Sequence, residues 1–216
     1  DDSIEALPHG SKTLESGYSK MNLDEIGHTK RSDLLGSILG PRPVFLVGTE
    51  SPEGVKNLAP MSSISILSNS PPLISMSIST DRGGRVRDTL SNIREAEDGC
   101  RVSIHCLRGD MIGAADVQAA ARPVPRETSE WDLISGSAIH DTSGDVLSSA
   151  MATIHTKVVE IRRLPESSKA FQVIMLAESL ATIPNPEEPT SRLVQISSRV
   201  LSGSSDGSTW KFELDW

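Results

Sequence analysis

The chain has 216 residues, with 21 Lys and Arg against 29 Asp and Glu, so its formal charge is −8. That length suits one domain, and the acidic balance disfavours nucleic acid or an anionic membrane surface as partner. With 37% apolar and 23% charged residues the chain can bury a core, whereas 3% aromatics leave no stacking platform for single-stranded nucleic acid.

Residues 1 to 37 mix Gly, Ser, His and charge without a sustained period and read as a flexible arm. There is no basic-then-apolar start and no run of eighteen apolar residues, so neither a signal peptide nor a membrane span is expected. Pro43 to Gly48 is an apolar run between breakers, the signature of a strand buried on both faces. A turn at Glu50 to Gly54 leads into a second strand from Asn57 to Leu67. Leu73 to Ser79 alternates Ile, Met and Ile with serines, a period of two that specifies a third strand with one apolar and one hydroxyl face. Val86, Leu90 and Ile93 then fall at helical spacing, with Asp88 or Thr89 as cap.

Arg101 to Cys106 alternates again, and Met111 to Ala121 reads as a helix. Residues 122 to 149 are rich in Pro, Ser, Gly and Asp and read as a long surface excursion anchored by Trp131, Leu133 and Ile134. Strands over 152–164 and 171–183 and a tail at Trp210 to Leu214 complete a mainly β, barrel-like chain of six or so strands and two short helices. Cys100 and Cys106 are too few for a disulfide framework and lack metal spacing; buried reduced thiols in a reducing cytoplasm fit them best.

No nucleophile elbow, Walker loop, zinc helix or dinucleotide fingerprint is present, and the five histidines have no ligand spacing, so no metal is expected. His105 and His155 read as hydrogen-bonded structural residues within strands. What remains is an order of elements suited to a planar ligand carrying a phosphate. The polar stretch Asn57 to Ser63 offers backbone groups and the Ser62 hydroxyl to a flat heterocycle. Arg82, Arg85 and Arg87, with the helix start near Thr89, offer cations and a dipole to an anion. Solvated loop arginines beside a capping Asp88 account for the same pattern.

Four ordered segments resemble the flavin reductase-like, FMN-binding split-barrel family: Pro41-Arg42-Pro43-Val44, Asn57-Leu58-Ala59-Pro60-Met61-Ser62, Ser70-Pro71-Pro72-Leu73 and Arg87-Asp88-Thr89-Leu90-Ser91-Asn92-Ile93. Glu127 to Leu133, Ser198-Arg199-Val200 and Phe212-Glu213-Leu214 resemble its later segments, extending the likeness over residues 38 to 216. The resemblance implies a Greek-key, antiparallel split barrel, forming a homodimer with FMN at the subunit interface and NADH or NADPH as reductant. By motif position Asn57, Ala59, Pro60, Met61, Ser62 and Ser63 would flank the isoalloxazine ring, and Ser77, Ser79, Arg82, Arg87 and Thr89 would serve the ribityl phosphate. Met61 stands where the family usually has an aromatic, and Arg87 where it usually has lysine. The implied activity is NAD(P)H-dependent flavin reduction by hydride transfer, with reduced flavin supplied to a separate monooxygenase. A flavoenzyme acting on its own small organic substrate, with residues 107 to 149 as a lid, and a non-catalytic flavin carrier are the alternatives.

Overall fold

The computed structural model describes residues 21–80, 84–96, 99–182, 191–197, 200–204 and 207–211. A helix α1 (His28–Leu39) precedes the strands β1 (Arg42–Pro43), β2 (Phe45–Glu50), β3 (Lys56–Met61), β4 (Ile64–Asn69) and β5 (Pro72–Ser79). Then come α2 (Asp88–Glu95), β6 (Arg101–Leu107), α3 (Met111–Ala120), β7 (Ala138–Asp141), β8 (Gly144–Leu147), β9 (Ala150–Arg163) and β10 (Ala170–Thr182). The described chain ends with β11 (Leu193–Ser197), β12 (Val200–Gly203) and β13 (Thr209–Lys211).

Seven strands form an antiparallel sheet in the order β3-β2-β6-β9-β10-β5-β4. β3 and β4 are therefore the two opposite edges of this sheet, yet only Ser62 and Ser63 separate them in sequence. So short a link forces the sheet to curl until its edges approach, and because they do not pair, the barrel is split along that line. The single strand expected over 57–67 is thus two strands: Ser62 and Ser63 carry the chain from one edge to the other. Ser63 is already docked on the far side, where its carbonyl accepts the Ser77 N–H at 3.0 Å and its hydroxyl donates to the Ser77 carbonyl at 2.6 Å.

β2 lies inside the sheet, and its consecutive residues Leu46 and Val47, on opposite faces, are both fully buried. On one face Val47, Met76, Ile104, Val173 and Met175 fill the curled interior, whose end is covered by Leu90 and Ile93 of α2. On the other face Leu46, Leu58 and Leu107 pack with Val117 of α3, Leu147 of β8 and Leu193 and Leu201 of the second sheet, β1-β11-β12-β13. The period-two reading of 73–79 holds: Ile74, Met76 and Ile78 are buried while the intervening serines are half-buried or exposed.

Three regions differ from expectation. Within the segment read as an arm, residues 28 to 37 belong to α1, where Leu34 and Ile38, and Leu35 and Leu39, recur four apart; none of its residues is buried, so no packed face accompanies that spacing, and residues 1 to 20 lie outside the described residues. The excursion 122–149 is packed against the sheet. Its β7–β8 hairpin buries Leu147, and Glu130 and Trp131 reach inward, because turn-forming residues set its path while a few large side chains fix it. The pair β11 and β12 lies where no strand was expected, its five- and four-residue runs being too short to show a period. Both cysteines are free; burial raises their thiols, Cys100 to about 11, so they stay protonated at neutral pH. Among the described residues no helix is long and apolar enough to cross a membrane, and no group of three or more His, Cys, Asp or Glu is placed to hold a metal ion.

Candidate functional site along the split

The residues singled out in the sequence converge where β3, the Ser62-Ser63 link, the end of β5 and the start of α2 meet. Asn57 donates its amide to the Thr89 hydroxyl at 3.0 Å, tying β3 to α2. Ser63 is bonded to Ser77, whose hydroxyl also accepts from the Gln172 amide at 3.1 Å. Arg87, the residue before α2, donates Nε to the Ser79 carbonyl at 3.1 Å, which brings its guanidinium to the end of β5. Ala59 pairs with Val47, and Pro60 and Met61 with Leu46 and Phe45, so all three lie in β3. Ser62 is half-buried in the link. Arg82 lies outside the described residues.

The convergence divides these residues by role. Asn57 and Thr89, 8% and 1% exposed, turn their side chains into a buried polar network. There the Thr49 hydroxyl accepts from the Asn57 amide at 3.3 Å and from the Asn92 amide at 3.1 Å. Arg126 extends the network, donating to Asn92 Oδ1 at 3.3 Å and to the Glu95 carboxylate. These contacts lock α2 onto β2 and β3. Ser77, Ser79 and Arg87 are left half-buried or exposed, able to meet a ligand.

Sequence reasoning missed Glu130. Its carboxylate, 8% exposed, accepts the backbone N–H of Leu58 at 3.0 Å. In an antiparallel ladder, alternate residues face the partner strand, so a Leu58 N–H taken by Glu130 lies on the free edge of β3, away from β2. Two residues on, at the same edge, stands Pro60, which has no N–H to expose. Glu130 and Pro60 together quiet an edge that would otherwise invite pairing with another strand. Burial pushes the Glu130 carboxyl above its usual range, a shift the Leu58 N–H opposes, with Asp88 and Arg85 the charged side chains whose fields reach it. Nothing local marks Glu130; it acts on a strand 72 positions away. A Glu130→Ala protein should lose roughly 1–3 kcal/mol in urea unfolding, since the Leu58 N–H is left without an acceptor, and Glu130→Gln, which keeps one, should recover most of it. Equal losses in the two variants would show that the bond to Leu58 is not what Glu130 contributes.

The start of α2 is suited to an anion. The helix ladder begins with Leu90 N–H to Arg87 C=O at 2.9 Å, leaving the N–H groups of Asp88 and Thr89 ahead of it, and among the described residues no side chain caps the turn. The Asp88 carboxylate is matched by Arg85 at 3.3 Å, which limits its repulsion of a second anion. Two clefts open elsewhere: one of about 680 Å³ between Glu50, Glu95, Arg101, Lys157 and Glu178, the other of about 490 Å³ beside Lys56, Ser129 and Trp131. Neither is lined by the residues from Asn57 to Ser63.

Comparison with known proteins bears on the family and the fold. A family model described as flavin reductase like domain matches residues 39–193. A protein of Halalkalibacterium halodurans, itself uncharacterized, is 32% identical over 111 residues, 51% of this chain and 51% of that one. The chain spans about half the length of the curated relatives it matches. Among solved structures, nitrilotriacetate monooxygenase component B from Bacillus cereus superposes with a TM-score of 0.72 at 21% identity, over 93% of this chain and 98% of that one. A Shewanella frigidimarina protein with a split barrel domain superposes with a TM-score of 0.67 at 17% identity, over 92% and 96%. At such identities these two likenesses speak for the fold. The family match covers everything from the end of α1 to the start of β11, the split and its flanking residues included, and the chain therefore belongs to the flavin reductase like domain family.

Proposed function

We propose that this protein is an oxidoreductase that binds FMN along the split and reduces it with NADH or NADPH. The observation that carries the proposal is the meeting of Arg87, the Ser79 carbonyl, the Ser77 hydroxyl and the open start of α2 beside the Asn57 to Ser63 segment. A cation and the N–H groups ahead of the helix ladder at one end, with a backbone edge at the other, form a donor set for a phosphate joined to a flat heterocycle. The residues present thus fit FMN: Ser77, Ser79, Arg87 and Arg82 would hold its phosphate end, and Ala59 to Ser63 would lie beside its ring. Asn57 and Thr89 would act from beneath, fixing α2 relative to β3.

When bound, the flavin would supply the redox chemistry, accepting hydride at N5 from the nicotinamide C4. The chain's part is to orient the ring, to neutralise the phosphate and to leave one ring face open for the nicotinamide. The half-buried Ser62 and exposed Ser63 leave room there, and no side-chain nucleophile is required. A homodimer belongs to the same reading, because the split is a shallow edge that a second copy would wall in. The likeness to component B of a monooxygenase supports a role in handing reduced flavin to a separate oxygenase.

Riboflavin and FMN differ only in the phosphate, which gives a direct test. Arg87→Ala should weaken FMN by about tenfold or more, the scale of a lost charge-assisted pair, while riboflavin binding, followed by quenching of its fluorescence, stays the same. Equal weakening of both ligands would remove Arg87 from the phosphate site.

A further inference from the structure

Along β5, Ser75, Ser77 and Ser79 share the face turned away from the apolar interior, and their hydroxyls are used differently. The Ser75 hydroxyl lies 3.1 Å from that of Ser65 and donates to the Ser65 carbonyl at 3.4 Å, so its proton is taken up within the sheet. Ser79, at the end of the strand, is exposed. Ser77 is half-buried, and its hydroxyl is an acceptor: the Gln172 amide of β10 donates to it at 3.1 Å, and among the described residues nothing takes its proton.

Register puts Gln172 in this place. It is the cross-strand partner of Ser77, and its neighbours Phe171 and Val173 belong to the apolar interior, which turns Gln172 onto the serine face. The backbone of Ser77 is held as well. Its N–H donates to the Ser63 carbonyl at 3.0 Å, and its carbonyl accepts the Ser63 hydroxyl at 2.6 Å. A hydroxyl has one proton to give and two lone pairs. Receiving the amide N–H fills one lone pair, polarises the O–H bond and leaves its proton directed away from Gln172. A phosphate oxygen can take that proton's hydrogen bond, and another N–H cannot. Two residues further along β5, the Ser79 carbonyl holds the Arg87 side chain at 3.1 Å, so an anion drawn to Arg87 meets the Ser77 O–H on the same strand.

We propose that Gln172 is a positioning residue for the phosphate end of the split: by donating to the Ser77 hydroxyl it aims the hydroxyl proton at the bound anion, and so makes the site prefer a phosphorylated flavin to a neutral one. The proposal rests on the flavin reading above and adds to it a residue that acts on the ligand through Ser77.

The test compares the full chain as wild type, Q172M, Q172E, S77A and Q172M/S77A, with urea unfolding to verify folding and fluorescence titrations with FMN and riboflavin. Q172M keeps the length of the side chain without its N–H groups. It should weaken FMN about threefold to tenfold, the scale of one net hydrogen bond, and leave riboflavin unchanged. Q172E should weaken FMN further, because a carboxylate at that position takes the Ser77 proton for itself; should Q172M not fold, Q172E carries the same comparison. In the S77A background Q172M should weaken FMN no further, since the group it acts through is gone. An FMN to riboflavin ratio that Q172M leaves unchanged, or a loss as large in S77A as in the wild type, would overturn the proposal and leave Gln172 as a contact within the sheet. Wild-type FMN affinity in Q172E would overturn it too, by showing that Ser77 donates to this side chain. If the wild type binds neither flavin, the flavin reading falls, and inorganic phosphate decides Gln172 separately. Stabilisation of the wild type against urea by phosphate, reduced alike in Q172M and S77A, upholds the positioning role. No stabilisation of the wild type, or the same stabilisation in Q172M, overturns it.

Discussion

Replacing Thr49 by valine is expected to lower stability by roughly 2–5 kcal/mol, although the two side chains have nearly the same shape. The Thr49 hydroxyl is the shared acceptor for the Asn57 and Asn92 amides, both buried, and valine leaves two N–H groups with no partner and no water. Each orphaned buried donor costs about 1–3 kcal/mol. Thr49→Ser keeps the acceptor and should fall within about 1.5 kcal/mol of the wild type, the residual being a lost methyl. The network anchors α2 to the sheet, so the valine variant should also weaken FMN and riboflavin alike, in contrast to Arg87→Ala. Urea unfolding of the three proteins measures the first effect. A valine variant as stable as the wild type would mean that these bonds do not hold α2.

The second large effect concerns acid. His105 is fully buried; its Nδ1 is bonded to the Thr153 hydroxyl at 2.8 Å, its ring meets Trp131 edge-on at 5.3 Å, and its Nε2 has no partner among the described residues. Glycine at position 48 makes room for this arrangement, since a Cβ there would lie 3.3 Å from His105 Nε2 and 3.5 Å from the indole. Burial, reinforced by His155 and opposed by Asp145, lowers the imidazole from 6.5 to about 3. The folded pKa lies below the unfolded one, so the unfolded chain binds the extra proton between these values. The stabilising contribution is complete above pH 6.5 and is lost as pH falls towards about 3, at up to about 1.4 kcal/mol per pH unit. His105→Gln should be less stable at neutral pH and should have a shallower acid limb, by about one proton, in urea unfolding repeated across that range. His155, lowered mainly by burial, acts in the same direction and remains in the variant. Identical slopes would show that His105 does not titrate on unfolding.

Much of the sheet was legible in the sequence because its signals are local. The double burial of β2 follows from the apolar run at Pro43 to Gly48, and the serine face of β5 from strict alternation. The helix over 88–95 follows from Leu90 and Ile93 at helical spacing after Val86. The split was not legible, since it depends on which strands pair, and β3 and β4, adjacent in sequence, sit at opposite edges. Glu130, Thr49, Asn92 and Gln172 were missed for the same reason: each matters through a partner distant in sequence, such as Leu58 for Glu130 or Ser77 for Gln172. Motif position grouped Asn57 and Thr89 with the ligand-facing residues, and only the three-dimensional arrangement shows their side chains bonded to each other.

The most direct measurement is an absorption spectrum of the purified protein loaded with FMN, passed through a desalting column, and then titrated without oxygen with NADH and with NADPH. The account predicts that the yellow band travels with the protein, bleaches when one of the nicotinamides is added and returns on admitting air. A colourless protein after desalting, or a bound yellow band that neither nicotinamide bleaches, would contradict it.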